Sequence, residues 1–155
     1  MPDVLSSDNP NAPRQHWMAV LARASGREIE ARLAGCGALP DYQTIRGPES
    51  GLVMVRGRAG GTGDAFNLGE MTVTRCTVRT ASGRTGHAYV AGRDTRQAEL
   101  AAVLDAMLQD PVHASSLHAN VIAPLAAEQQ ALRQQIAARA AATKVQFFAM
   151  RNMRT

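Results

Sequence analysis

The residues best suited to chemistry in this chain are the arginines of its central segment. Sixteen of the 17 basic residues are arginine, and residues 51–93 carry a net charge of +4, whereas residues 1–50 sum to −1. A guanidinium group is a planar, two-pronged donor to phosphate or carboxylate oxygens, a geometry that lysine lacks. A codon bias toward arginine would explain the choice of arginine over lysine, but not this placement. The segment therefore suggests contact with an anionic ligand or an acidic protein surface.

Strand periodicity predicts on which side of a sheet these arginines lie, because successive strand residues point to opposite faces. If the strands register so that the arginine sides coincide, we expect one basic face and one apolar face, the latter carrying Val53, Val55, Cys76, Val78, Ala88 and Val90. The alternative is an ordinary solvated sheet face. The candidate residues for binding an anion or a partner are Arg56, Arg58, Gly60, Gly61, Thr62, Gly63, Arg75, Arg79, Arg93 and Asp94.

Signatures of catalysis and of cofactor binding are missing from the sequence. The glycine run GRAGGTGD, residues 57–64, lacks the Lys-Ser/Thr ending of a phosphate-binding loop and leads into a strand, so it reads as a flexible turn or as an anion or partner contact. His113 and His118 are five residues apart, and Cys36 and Cys76 form no metal-binding pair. We predict no catalytic residue, no metal and no cofactor in this chain.

Composition limits the architecture. The chain has 155 residues, 45% of them hydrophobic and 19% charged, which fits one folded domain. We predict a flexible tail over residues 1–11 and a single α+β domain over residues 12–155. The sequence contains no apolar run long enough for a membrane helix and no leader at its start, so we expect a cytoplasmic protein with two free thiols.

Helical periodicity and capping signals predict the helices. Trp17 and Leu21 lie on one face of a first helix that begins near Ala12, and Ser25 with Glu28 forms a capping box for a short second helix. Asp94 starts a strongly apolar third helix that ends before Pro111, and a last long helix begins near Pro124 and runs toward Ala142. Residues 112–123 are ambiguous.

Alternating β-branched residues predict four strands, over residues 42–46, 52–58, 71–80 and 85–92. Short turns connect them, so neighbouring strands should be antiparallel. The expected fold is therefore α+β, with an antiparallel sheet of about four strands and helices packed on one face. Phe147 and Phe148 near the C terminus need a partner surface. Trp17 has the spacing of a core residue, and we also keep it with these two as a candidate interface residue.

Several strings in the sequence together resemble one protein family. They are RQHWM (14–18), G-L-V-x-V-x-x-R-x-G-G-T-G (51–63), T-V-T-R (72–75), G-R-D (92–94), V-I-A-P-L (121–125) and V-x-F-F (145–148). In this order they resemble the PhnG family, the G subunit of the bacterial carbon-phosphorus lyase core complex. Relatives tend to carry Trp at the position of Tyr89, so stacking at Tyr89 is not inferred.

The resemblance implies a role in phosphonate catabolism beside the I, H and J subunits. In that family the I subunit, aided by G, H and L partners, replaces the adenine of ATP with methylphosphonate, which gives α-D-ribose 1-methylphosphonate 5-triphosphate. ATP, and an iron-sulfur cluster with S-adenosylmethionine, belong to partner subunits. The resemblance carries over no catalytic residue.

Three functions follow as hypotheses. The first is a non-catalytic subunit that docks through its sheet and exposed aromatics. The second is direct phosphate or phosphonate binding in the synthase site, with Arg58, Arg75 and Arg93 as the clamp. The third, suggested by a pI of about 9.8, is a small nucleic-acid binder, but six aromatics and a charge of +4 argue against it. Self-association of the isolated chain into a homodimer stays open.

Overall fold

A computed structural model describes residues 9–144 of the chain. Its helices are α1 (Ala12–Arg23), α2 (Gly26–Leu33), α3 (Thr95–Leu108), α4 (Pro111–Leu117) and α5 (Ala123–Ala142). A π-helical turn (His118–Ile122) joins α4 to α5 without a break. The strands are β1 (Tyr42–Arg58), β2 (Ala65–Thr80) and β3 (Thr85–Ala91). Phe147 and Phe148, and most of the predicted tail, lie outside the described residues.

Local capping starts the helices where the sequence predicts. The Ser25 hydroxyl accepts a hydrogen bond from the backbone N–H of Glu28, and the Glu28 carboxylate accepts one from the backbone N–H of Ser25. The hydrogen bond from the Ser25 side chain, and to a lesser extent that from its backbone N–H, holds the pKa of Glu28 below its usual value. At the start of α3 the Asp94 carboxylate accepts from the Gln97 N–H at 2.9 Å. The predicted starts of α2 and α3 are thus confirmed, and α1 also begins at Ala12 as predicted, without a side-chain cap.

The strands form one antiparallel sheet in the order β1-β2-β3, so the described sheet has three strands instead of about four. The two predicted strands 42–46 and 52–58 are parts of one long strand. Gly47 and Pro48, which we expected in a turn, instead occupy a register irregularity between Arg46 and Glu49. Gly47 has φ +71° and lies so close to the Arg75 carbonyl that a Cβ would come within 2.5 Å of it, so the chain bulges here and does not reverse.

The helices cover one face of the sheet. In β2 and β3 alternate residues are buried, among them Cys76, Val78 and Ala88, while the residues between them are exposed or half-buried. Helix α3 lies at the centre, and its residues 100–108 are all buried. Gly86 of β3 approaches α3 so closely that a Cβ there would overlap the backbone of Ala102 and Ala106. A hydrophobic layer between α3 and β3 therefore forms the core.

The sheet extends beyond this covered layer. Strand β3 pairs with residues 73–79 of β2, whereas β1 and β2 remain paired as far as Arg58 and Ala65. Residues 51–72 therefore form a two-stranded projection, which we call the distal ribbon. The remainder, comprising β3, residues 42–50 and residues 73–80, is called the proximal sheet.

No helix among residues 9–144 has both the length and the apolar character needed to cross a membrane.

Candidate docking surface

Part of the predicted basic face exists on the side of the proximal sheet away from the helices, which we call the open face. Arg75 pairs with Tyr89 in the β2–β3 register, and Arg79 pairs with Thr85. Both arginines are exposed, as are His87 and Tyr89. Arg75 and Arg79 therefore lie on one side of the sheet, as expected from strand parity.

Arg56 and Arg58 do not belong to the open face, and here the expectation of one shared side is wrong. Val53 lies opposite Met71, which has the same strand parity as Arg75, so Val53 and Val55 are on the open face and not against the helices. Arg56 and Arg58, of the other parity, continue the helix-covered side beyond the helices. Alternation tells which residues of one strand share a side. Which sides of two strands coincide depends on their register, and the bulge before Glu49 shifts that register.

Arg75 shares one carboxylate with a second arginine. Its guanidinium Nε lies 2.7 Å from the Glu49 carboxylate, which also accepts a hydrogen bond at 2.7 Å from Arg46. These hydrogen bonds, that of Arg46 first and that of Arg75 second, hold the pKa of Glu49 below its usual value. The open face is therefore less basic than the arginine count suggests.

Arg93 and Asp94 follow the end of β3 and have different surroundings. Exposed Arg93 borders a shallow groove of about 410 Å³ together with Ser50, Leu52 and Thr72. The Asp94 carboxylate caps α3. Asp94 thus has a structural role, and anion or partner binding by Arg93 stays a prediction.

The glycine run forms the turn between β1 and β2. Gly60 and Gly61 have φ values of +59° and +82°, a backbone conformation that glycine adopts without steric cost. The Gly63 N–H donates to the Ala59 carbonyl at 2.9 Å, and Arg58 donates to the Gly63 carbonyl at 3.2 Å. The turn ends at Thr62, and its backbone geometry is sufficient to explain why glycines occur here. A ligand or partner contact of the turn stays a prediction.

The distal ribbon carries the largest group of exposed large hydrophobic side chains in the described part of the chain. Half of the large hydrophobic side chains that are exposed among residues 9–144 lie in it: Leu52, Met54, Phe66, Leu68 and Met71. Leu52 and Leu68 are 63% and 66% exposed. Phe66 and Leu68 flank Gly57 on the open face, where a Cβ would lie 3.7 Å from the Phe66 ring.

Sequence analysis missed the part of this surface that β2 provides. Residues 65–70 contain Gly69 and do not alternate cleanly between apolar and polar residues. A bulge interrupts β2 here: Val55 pairs with Gly69 and Arg56 with Asn67, so Leu68 is an extra residue. The signal that could have revealed the strand was the pair Phe66 and Leu68 at a spacing of two.

The groups that could support catalysis are dispersed in the described structure. Residues 9–144 contain no cluster of three His, Cys, Asp or Glu side chains able to hold a metal. Cys76 is buried, and burial, followed by the charge of Glu99, raises the pKa of its thiol, which disfavours a reactive thiolate. The half-buried Cys36 thiol donates to the Arg32 carbonyl.

Comparison with known proteins gives the family. A family model described as "Phosphonate metabolism protein PhnG" matches residues 12–152. The chain belongs to the PhnG family. A relative from Rhizobium meliloti (strain 1021), named alpha-D-ribose 1-methylphosphonate 5-triphosphate synthase subunit PhnG, is 45% identical over 148 residues, which cover 94% of this chain and 92% of the relative.

One PhnG-like string, RQHWM, has a clear structural role in this member of the family. Arg14 donates two hydrogen bonds to the carboxylate of Asp105, which is fully buried, and the Trp17 indole N–H donates a third at 2.9 Å. The backbone N–H of His87 donates a fourth. The hydrogen bond to Asp105 raises the pKa of Arg14. One carboxylate thus fastens α1 and β3 to α3.

This cluster settles the position of Trp17, which is buried in the core and also contacts His118 edge-on. Core placement was one of the two expectations for this residue. Sequence analysis did not single out Asp105, although a lone acid within the apolar α3 stripe was a usable signal, since a buried carboxylate requires donors.

Proposed function

We propose that this PhnG-family chain is a non-catalytic subunit of α-D-ribose 1-methylphosphonate 5-triphosphate synthase and that it docks on the I subunit through the distal ribbon. The synthase replaces the adenine of ATP with methylphosphonate. In this proposal the H and J subunits assemble on the same complex in the cytoplasm. Partner subunits bind ATP, and the J subunit carries the iron-sulfur cluster with S-adenosylmethionine.

The observation that carries the proposal is the exposed apolar surface of the distal ribbon. Two-stranded ribbons are marginal in water without a covering layer, and contiguous exposed apolar patches mark interaction surfaces. Leu52 and Met54 are exposed on one side, and Phe66 and Leu68 on the other. A partner that covers this ribbon would bury these side chains and stabilise its strand pairing.

A direct phosphate site is less well supported. A clamp needs its arginines around one phosphate, but Arg58 pairs with Ala65, ten residues from Arg75 along β2, or about 30 Å at strand spacing. Arg75 is also bound to Glu49. Nothing in the described structure favours nucleic-acid binding, since the ribbon combines its arginines with exposed aliphatic side chains.

The test is affinity co-purification of the full chain with the co-expressed I subunit. The double variant Leu52→Ser/Leu68→Ser should bind on the order of tenfold more weakly or worse, because apolar anchors dominate interfaces. Its melting temperature should be close to wild type, since both side chains are mostly exposed.

The matched control is Leu132→Ser/Ile136→Ser, which removes two aliphatic side chains of similar exposure from α5, 57% and 58%. This variant should assemble like wild type. Failure of the wild-type chain to bind the I subunit would overturn the proposal. Turnover of ATP with methylphosphonate by the isolated chain would disprove the non-catalytic role.

A further inference from the structure

The outer edge of β1 is unpaired along its whole length in the described structure. The sheet order is β1-β2-β3, so the backbone N–H and C=O groups on the outer side of β1 have no strand partner among residues 9–144. An open strand edge is a template for pairing with another chain, and proteins normally protect such edges with proline, bulges or charge.

Only half of this edge is protected. The proximal half contains Pro48, which lacks an N–H, and two register irregularities between Thr44 and Glu49. From residue 50 to Arg58 β1 has no proline, and the one irregularity there places its extra residue, Leu68, on β2. A regular stretch of nine residues is therefore open, enough for a strand of ordinary length.

The side chains of this stretch specify what could lie beside it. On one side Leu52 and Met54 are followed by Arg56 and Arg58, and no carboxylate within residues 9–144 lies within salt-bridge distance of either guanidinium. On the other side Val53 and Val55 are half-buried and apolar. On the side of Val53 and Val55, an added strand would thus lie beside apolar side chains only. On the other side it would lie beside apolar side chains first and beside the two arginines further along.

We propose that a strand of a partner subunit adds to the outer edge of β1 along residues 50–58, with apolar side chains beside Leu52 and Met54 and acidic side chains beside Arg56 and Arg58. The inference rests on the proposed function and specifies how the docking occurs. Backbone hydrogen bonds along the edge supply affinity, and the acidic residues fix the register of the added strand.

The same geometry disfavours a second copy of this chain as the occupant. Residues 50–58 contain no acidic residue, so another β1 would bring two more arginines and no counter-charge. The nearest acid of β1, Glu49, is already bound to Arg46 and Arg75. The opposite edge strand, β3, is less open, since the backbone N–H of His87 already donates to the Asp105 carboxylate.

Hydrogen exchange of the chain, alone and in the complex with the I subunit, tests strand addition directly. In the complex about every second amide of residues 50–58 should exchange more slowly, because alternate N–H groups of a strand point to each edge. The exchange of β2 amides over residues 73–80 should change little. A complex that forms without protection of residues 50–58 would overturn the inference and leave the proposed function intact.

Charge reversal tests the acidic partner. Arg56→Glu/Arg58→Glu should weaken binding to the I subunit on the order of tenfold or more, because opposed charges become like charges. The matched control Arg133→Glu/Arg139→Glu makes the same charge change on the exposed surface of α5 and should bind like wild type. Equal losses in both variants would count against an acidic strand at this edge.

The isolated chain gives a further test. If it self-associates and residues 50–58 then exchange more slowly, the added strand belongs to a second copy of this chain, and the inference of a partner strand is wrong. If the wild-type chain does not assemble, both proposals fail.

Discussion

The same two strands behave differently in the two halves of the sheet. In the proximal sheet, Val78 and Cys76 of β2 are buried beneath α3. In the distal ribbon, Phe66, Leu68 and Met71 of the same strand are equally apolar and remain exposed. Composition does not distinguish the halves, whereas the covering layer does. A hydrophobic strand segment that no element of residues 9–144 covers is therefore best understood through what it binds.

This contrast predicts that mutations in the two regions are detected by different measurements. Substitutions in the proximal sheet and α3 should change the free energy of unfolding. Substitutions in the distal ribbon should leave unfolding nearly unchanged and weaken assembly.

The largest effect is expected at Asp105. Asp105→Asn removes the charge that Arg14 pairs with and sets an amide against the donors of Trp17 and His87, so we expect a loss of about 3–5 kcal/mol in the free energy of unfolding. Urea denaturation measures it. The control Glu128→Gln removes an exposed ion pair with Arg32 and should cost less than about 1 kcal/mol. Similar losses for both variants would contradict the role of the buried carboxylate.

A smaller effect is expected from adding one methyl group. Gly86→Ala should destabilise the chain by about 1–3 kcal/mol, because the new Cβ meets the backbone of α3 and forces β3 away. Gly51→Ala makes the same change in the distal ribbon, where nothing lies within 4 Å of the new atom. Thermal unfolding of the two variants compares the regions directly. A Gly51→Ala loss equal to that of Gly86→Ala would show that the ribbon is as tightly packed as the core.

The smallest effect is expected at Glu49, where the two regions meet. Hydrogen bonds from Arg46 and Arg75 lower the pKa of Glu49, so its contribution to stability is present above the ordinary carboxyl pKa of about 4.3 and is lost as the pH falls through the lowered value. An NMR titration should show the low midpoint, and Arg46→Ala should raise it. An unshifted midpoint in the wild-type chain would mean that these ion pairs do not persist in solution.

Sequence analysis succeeded where the determinants of structure are local. The Ser25–Glu28 box and the Asp94 cap lie within three residues of the helix starts that they set. The spacing of Trp17 and Leu21 also identified a buried helix face, since both side chains lie in the core.

The sequence-based predictions are wrong where pairing between distant segments decides the structure. Gly47 and Pro48 have the composition of a turn, but the long pairing of β1 with β2 keeps them within a strand. The side that carries Arg56 depends on which β2 residue faces it, and no property of residues 51–58 alone contains that information. Strand β1 was therefore predicted as two segments, and Arg56 and Arg58 were predicted on the wrong side of the sheet.

The π-helical turn at His118–Ile122 has a consequence for the end of the chain. Such a turn holds one more residue than an α-helical turn, so it rotates everything that follows by about 100° around the helix axis. A regular α-helix through the same residues would instead aim Leu132 and Ile136 in a new direction. The winding of this one turn thus sets the direction in which the side chains of the last twenty helical residues point.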